Sequence, residues 1–182
     1  MYRYLIPLLI GFGFNWASAF THFYSKRWGQ RAGKLASLVL RNILGILVWV
    51  YGLALATRSS AAPLFNPSWV TLGLGWLLLV AGTIPMIWGL QFLGWRSFRP
   101  TEGDTLVSSG IFKHIRHPIY SGLLLDFIAL ILLRPTKPAL VASVLGWGYV
   151  SVQARLEEVD LLQRIQAYRE YMLQVPRFFP RF

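Results

Sequence analysis

The chain has 182 residues, of which 55% are hydrophobic and only 14% charged, with eight tryptophans, no cysteine and a net charge of +11. Soluble domains carry about 25% charged residues, so the composition points to an apolar surrounding and to one compact unit. The missing cysteines exclude a disulfide, a thiolate nucleophile and a Cys-built metal site, and three histidines with seven acids leave little for a zinc or di-iron centre.

The positive charge sits in clusters between apolar runs. Five of the 18 Lys and Arg fall in 24–41, four in 94–118 and five in 153–182. That distribution suits anionic lipid headgroups and argues against nucleic acid as a partner.

In chain order, Tyr4 to Phe23 reads as a first span of about 20 residues, enough for ~30 Å of hydrocarbon. It lacks the basic start and cleavage site of a signal peptide, so it is expected to be retained. His22 near its end reads as interfacial. A basic loop with Lys26, Arg27, Arg31 and Lys34 leads to a second span, Leu35 to Thr57, where Arg41 is placed to snorkel toward the surface. A turn-rich linker, 58–67, precedes a third span, Trp69 to Leu93, with Pro85 expected to kink it. Two shorter apolar runs, Ile119 to Leu133 and Ala139 to Val152, follow across the turn 134–138. They read as spans four and five, paired as a hairpin, with an amphipathic tail over 153–182.

The expected fold class is therefore all-α: one multi-pass membrane domain over 1–182. Three spans fill 1–93, and a polar loop, hairpin and tail fill 94–182. With five spans, 14 basic residues fall on one side and four on the other. The positive-inside rule then predicts the N-terminus outside and the C-terminus cytoplasmic.

The chemistry concentrates in Gly110-Ile111-Phe112-Lys113-His114-Ile115-Arg116-His117-Pro118-Ile119-Tyr120-Ser121-Gly122. Pro118 suits the first helical turn, because its missing N–H costs nothing there. The exposed N–H groups of that turn favour an anion. Arg116 and His117 precede the helix and can meet a ligand carboxylate or phosphate, with Tyr120 and Gly122 on its first turn. Downstream, Glu157 and Glu158 point about 100° apart on a helix, so one can enter the same pocket while the other bonds a neighbour. Acids this close to an apolar run need partners; Arg155, Arg116 and Lys113 are candidates. Asp126 lies two turns into the helix that Pro118 opens, and reads as structural or as a pocket wall.

These residues resemble the isoprenylcysteine carboxyl methyltransferase family and its relatives, the phospholipid methyltransferases. The matching elements are Gly110, Phe112 and the run Arg116-His117-Pro118-x-Tyr120-x-Gly122. Glu157-Glu158-x-x-Leu161, Tyr168-x-x-Tyr171 and Val175-Pro176-Arg177 follow, so the likeness covers 94–182. Phe112 stands where the family usually has tyrosine, and Ile165-Gln166-Ala167 where it has a Phe-Gly pair.

The resemblance implies methyl transfer from S-adenosylmethionine to a lipophilic acceptor, a small molecule or lipid bearing a carboxylate, amine or thiol. It assigns Gly110, His114, His117, Pro118, Tyr120, Glu157 and Glu158 to the cofactor, and Arg116, Arg155 and Glu158 to catalysis. Asp126, Tyr168 and Tyr171 go to the acceptor. A proton acceptor, where one is needed, would come from His114, His117, Asp126 or the tail acids. The alternatives are an NADPH-dependent reductase of the sterol reductase type and a non-catalytic lipid-binding protein.

Overall fold

A computed structural model of the chain describes residues 3–181; residues 1, 2 and 182, which the expected segments include, lie outside the described residues. Among these the fold is all-α. Helix α1 (Leu5–Ala17) and α2 (Thr21–Trp28) are followed by α3 (Gln30–Leu38). A π-helical stretch, Val39–Ile46, joins α3 without a break to α4 (Leu47–Thr57). Then come α5 (Trp69–Leu93), α6 (Pro118–Leu133), α7 (Lys137–Arg164) and the short α8 (Tyr168–Gln174).

The helix ends follow local chemistry. Ser68 and Thr71 form a reciprocal capping box that starts α5, satisfying two backbone donors that a helix start leaves open. Pro118 opens α6 and Pro138 sits in the first turn of α7, where Thr136 supplies the cap. Helix α5 runs on through Pro85.

Five spans are not formed. Among the described residues, only the continuous helix Gln30–Thr57 and the helix Trp69–Ser97 are long and apolar enough to cross a membrane. The run expected from Tyr4 to Phe23 breaks after Ala17, with no proline or glycine to announce it: the Ser18 hydroxyl turns back onto the Asn15 carbonyl at 2.6 Å. The 13 residues of α1 are about 20 Å long and the 16 of α6 about 24 Å, both short of a ~30 Å core. Helix α7 has the length, yet carries Arg155, Glu157, Glu158, Asp160 and Arg164 in its second half.

The expected C-terminal hairpin also gives way. Helix α6 packs chiefly along α5 and only secondarily against α7. Gly82 of α5 and Gly122 of α6 explain the pairing, since a Cβ on either would collide with the backbone of the other helix. The stretch expected as a tail, 153–182, is divided: its first part continues α7 to Arg164, and α8 follows over Tyr168–Gln174. The multi-pass location and its orientation fall with the span count, because the division of 14 charges against four required five crossings.

Helix α1 lies against the π-helical stretch and α4. Leu8, Phe12, Trp49, Leu124, Phe127, Tyr149 and Val150 form the central core. The rings of Phe12 and Tyr149 stack at 4.2 Å. A smaller cluster of Tyr168, Tyr171 and Val175 anchors α8. The linker is tied to the α6–α7 turn by the Leu64 N–H on the Pro135 carbonyl at 2.6 Å, and by Arg134 Nη2 on the Thr57 carbonyl at 2.8 Å.

Candidate functional site

The His-Pro segment is shaped by its backbone before its side chains act. Gly110 has φ +57°, and a Cβ there would run into the Phe92 ring, so the turn requires glycine. A 3₁₀ turn over Gly110–Lys113 buries Ile111 and Phe112. His117 is held out of the helical region by the proline that follows. The segment 176–178 lies across it: the Arg116 and His117 amides donate to the Pro176 and Arg177 carbonyls at 2.9 and 3.0 Å. The Ser121 hydroxyl donates to the Phe178 carbonyl at 2.5 Å.

Two carboxylates of α7 meet this segment and divide its cations. Glu158 takes Arg116 Nη1 at 2.9 Å, His117 Nε2 at 3.1 Å and Arg177 through Nε at 3.0 Å and Nη2 at 2.5 Å. Burial acts to raise its carboxyl. The hydrogen bonds from His117 and Arg177, with the charges of His117 and Arg116, outweigh that and bring it down to about 2. The Arg116 contact is close without hydrogen-bond alignment, and both Nε and Nη1 of Arg116 are buried with no aligned partner.

Glu157 accepts from the Tyr120 hydroxyl at 2.7 Å, Arg41 Nη2 at 2.8 Å and Gln153 Nε2 at 3.0 Å. Burial pushes its carboxyl up, and Arg41 with these hydrogen bonds holds it below its ordinary value. All three bonds end on Oε1. Arg41 reaches the site from the π-helical stretch and also donates Nη1 to the Ser97 carbonyl at 3.1 Å, while its Nε is buried and unpartnered. A π-helical turn alters which face each residue presents, and such turns are frequent at functional sites.

Two cavities adjoin here, of about 140 and 150 Å3. Arg41, Phe112, Arg116, His117 and Glu157 line both, forming a common wall. The first cavity continues past Leu106, Val107, Leu161, Ile165, Tyr168 and Tyr171. Above it the loop 100–106 is fastened by Arg164, which bonds the Thr101 carbonyl and Asp160, each at 2.6 Å. His22 Nδ1 sits 2.7 Å from Glu102 Oε1 on the same loop. Tyr171 donates to the Phe112 carbonyl at 2.7 Å, and burial raises its hydroxyl to about 12. The second cavity runs between Asn15, Ile46, Trp49, Leu90, Leu123 and Tyr149.

The structure thus brings Arg116, His117, Pro118, Tyr120, Glu157 and Glu158 together. It puts Tyr168 and Tyr171 in the first cavity. Gly110 shapes the turn without lining either space. His114 and Arg155 are exposed and away from both cavities, and Asp126 faces Gly82 of α5. Arg41, Gln153 and Arg177 were missed as site residues. Arg41 looked like a surface-seeking cation in an apolar run, although its isolation there was itself a signal; Arg177 stood in a quoted motif with no role attached.

Helices carrying paired charges around two joined cavities define a small-molecule binding protein or enzyme. The chain belongs to the phospholipid methyltransferase family, whose model matches residues 70–169. It is 31% identical over 178 residues to methanethiol S-methyltransferase 2 of Bradyrhizobium diazoefficiens, covering 86% of this chain and 64% of that one. It is 27% identical over 153 residues to a cobalt-zinc-cadmium resistance protein of Cupriavidus metallidurans (81% and 68% covered). Over 119 residues it is 28% identical to methanethiol S-methyltransferase of Mycobacterium tuberculosis (62% and 48%). The chain therefore spans between about half and two thirds of the length of these relatives. No solved structure matches it.

Proposed function

We propose that the chain is an S-adenosylmethionine-dependent methyltransferase acting on a small lipophilic acceptor, with a thiol the favoured class. The observation that carries the proposal is the wall of Arg41, Arg116, His117 and Glu157 shared by two cavities in a chain of a methyltransferase family. Two relatives named for methanethiol favour sulfur over the prenylcysteine carboxylate.

The residues present fit the cofactor. Glu157 Oε2 would accept from its ammonium or a ribose hydroxyl, and the unpartnered Nε of Arg116 would donate to its carboxylate. Leu106, Val107, Leu161 and Ile165 offer apolar contact to a base. When bound, the cofactor supplies an electrophilic methyl group: the acceptor's lone pair bonds to the carbon as the carbon–sulfonium bond breaks, its electron pair staying on that sulfur.

The chain's part is electrostatic and positional. Three guanidiniums, Arg41, Arg116 and Arg177, stand against the two carboxylates of Glu157 and Glu158 and leave an excess of one positive charge among these five groups. A cation beside a thiol favours its thiolate, and the proton leaves to water. Holding two reactants in line is worth up to ~7–11 kcal/mol, so neither a metal nor a covalent intermediate is required of the fold. Because charge is neutralised as the methyl group moves, an apolar, water-poor cavity favours the step.

Calorimetry with S-adenosylhomocysteine tests the proposal. The wild-type chain is expected to bind it, and Glu157→Gln to weaken binding at least about tenfold, roughly 1.4 kcal/mol, with helicity unchanged. Binding of NADPH with none of S-adenosylhomocysteine would overturn it.

A further inference from the structure

We propose that the second cavity is the acceptor chamber, and that its walls select an apolar thiol of roughly four to eight carbons. The assignment rests on the methyltransferase reading above and goes beyond it in naming where the acceptor lies and how large it is.

The two cavities share the charged wall together with Leu93, Ser97 and Phe112, and differ elsewhere. Away from it, the second is bounded by Ile46, Trp49, Leu90, Ile119 and Leu123; its polar residues are Ser97 and Tyr120, which bond the Gly94 carbonyl and Glu157, and beyond them Asn15 and Tyr149. Those two are occupied with protein partners: the Tyr149 hydroxyl donates to Asn15 Oδ1 at 2.9 Å and Asn15 Nδ2 donates to the Arg41 carbonyl at 3.0 Å. A ligand's tail therefore meets apolar surface and no strong polar demand, whereas its head meets Arg41, Arg116, His117 and Glu157. That gradient fits a molecule with one nucleophilic atom and an apolar body.

Size follows from the space. A cavity of about 150 Å3 has room for on the order of ten water-sized groups, more than a one- or two-carbon thiol fills. The continuous helix 30–57 and α5 supply two of its sides without packing along one another. Among the described residues these two are the helices long and apolar enough to cross a membrane, so the chamber suits a ligand delivered from an apolar phase. Asn15, Ile46 and Trp49 lie before residue 70, outside the stretch that matches the family model. Acceptor choice thereby draws one of its walls from the part of the chain outside that stretch, the others from within it.

The test is a series of 1-alkanethiols from two to ten carbons, with kcat/KM measured at saturating S-adenosylmethionine. Each buried methylene contributes about fourfold until the chamber is full, so the optimum is expected at four to eight carbons and at least tenfold above ethanethiol. Ile46→Phe and Leu123→Phe fill the chamber from two different helices. Each is expected to lower kcat/KM for the longer thiols at least tenfold while leaving the dissociation constant of S-adenosylhomocysteine within twofold, which also reports that the site is folded. A profile that is flat or falls from two carbons, no turnover of any member, or a profile unmoved by both variants, each with S-adenosylhomocysteine still bound, overturns the chamber assignment. Failure of the wild-type chain to bind S-adenosylhomocysteine overturns the methyltransferase reading on which it rests.

Discussion

Glu158→Gln separates the electrostatic role of Glu158 from its shape. The carboxylate of Glu158 is held at about 2 against an ordinary 4.5, a difference that corresponds to roughly 3 kcal/mol. Part of that comes from Arg177, whose side chain is 31% exposed and is screened by water, so about 2 kcal/mol is expected. The sign follows from the direction of the shift. A carboxyl depressed in the folded state contributes its full stabilisation above about pH 4.5 and loses it as pH falls toward 2. The variant should therefore unfold about 4–8 °C below wild type at pH 7, and the gap should shrink to about a quarter of that by pH 2.5 and vanish only below about pH 2, where the wild-type carboxyl is itself largely protonated. Thermal unfolding followed by far-UV circular dichroism at pH 7, 4 and 2.5 measures this directly. A gap that stays constant across those pH values would show that Glu158 contributes by packing, and the cation cluster would lose its explanation.

Other outcomes follow from the same geometry. Tyr120→Phe removes a donor to a buried carboxylate, worth about 1.5–3 kcal/mol, and should weaken S-adenosylhomocysteine binding about tenfold or more in calorimetry without loss of helicity. Arg155→Ala should leave that affinity within twofold, because Arg155 is exposed and away from both cavities; a larger loss would restore the catalytic role its place in the sequence suggested. Gly82→Leu drives a side chain into the α6 backbone at Gly122 and should cost about 3 kcal/mol or prevent folding, read as a lowered melting temperature. Asp126→Asn should leave the acceptor KM within twofold, since Asp126 faces α5 and lines neither cavity.

Much of the fold near the site is legible in the sequence because strong local signals mark it. The turn-rich linker 58–67 announces the start of α5 and Pro118 the start of α6, and the observed helices begin there. Arg116, His117, Glu157 and Glu158 stand out because charge beside apolar runs demands partners, and the structure brings them together. The span count was not legible. The break after Ala17 is made by a serine hydroxyl and a tertiary fit, and the length of α7 is hidden by charges that read as a tail. Arg41 shows the limit most clearly: its reach to Glu157 depends on the π-helical stretch, and hydrophobic periodicity cannot distinguish that from an ordinary helix.

The strap of residues 176–178 across the His-Pro segment carries a consequence for the order of events in folding. Arg116 and His117 hand their amides to carbonyls some sixty positions away, so the charged wall is completed only when distant parts of the chain have docked. Long-range closure of this kind is slow to form and is among the first contacts to open. Exchange of the Arg116 and His117 amides with solvent deuterium would then report the fraction of molecules with an assembled pocket. Any ligand spanning that wall would slow exchange there, acting on assembly of the site as well as on occupancy.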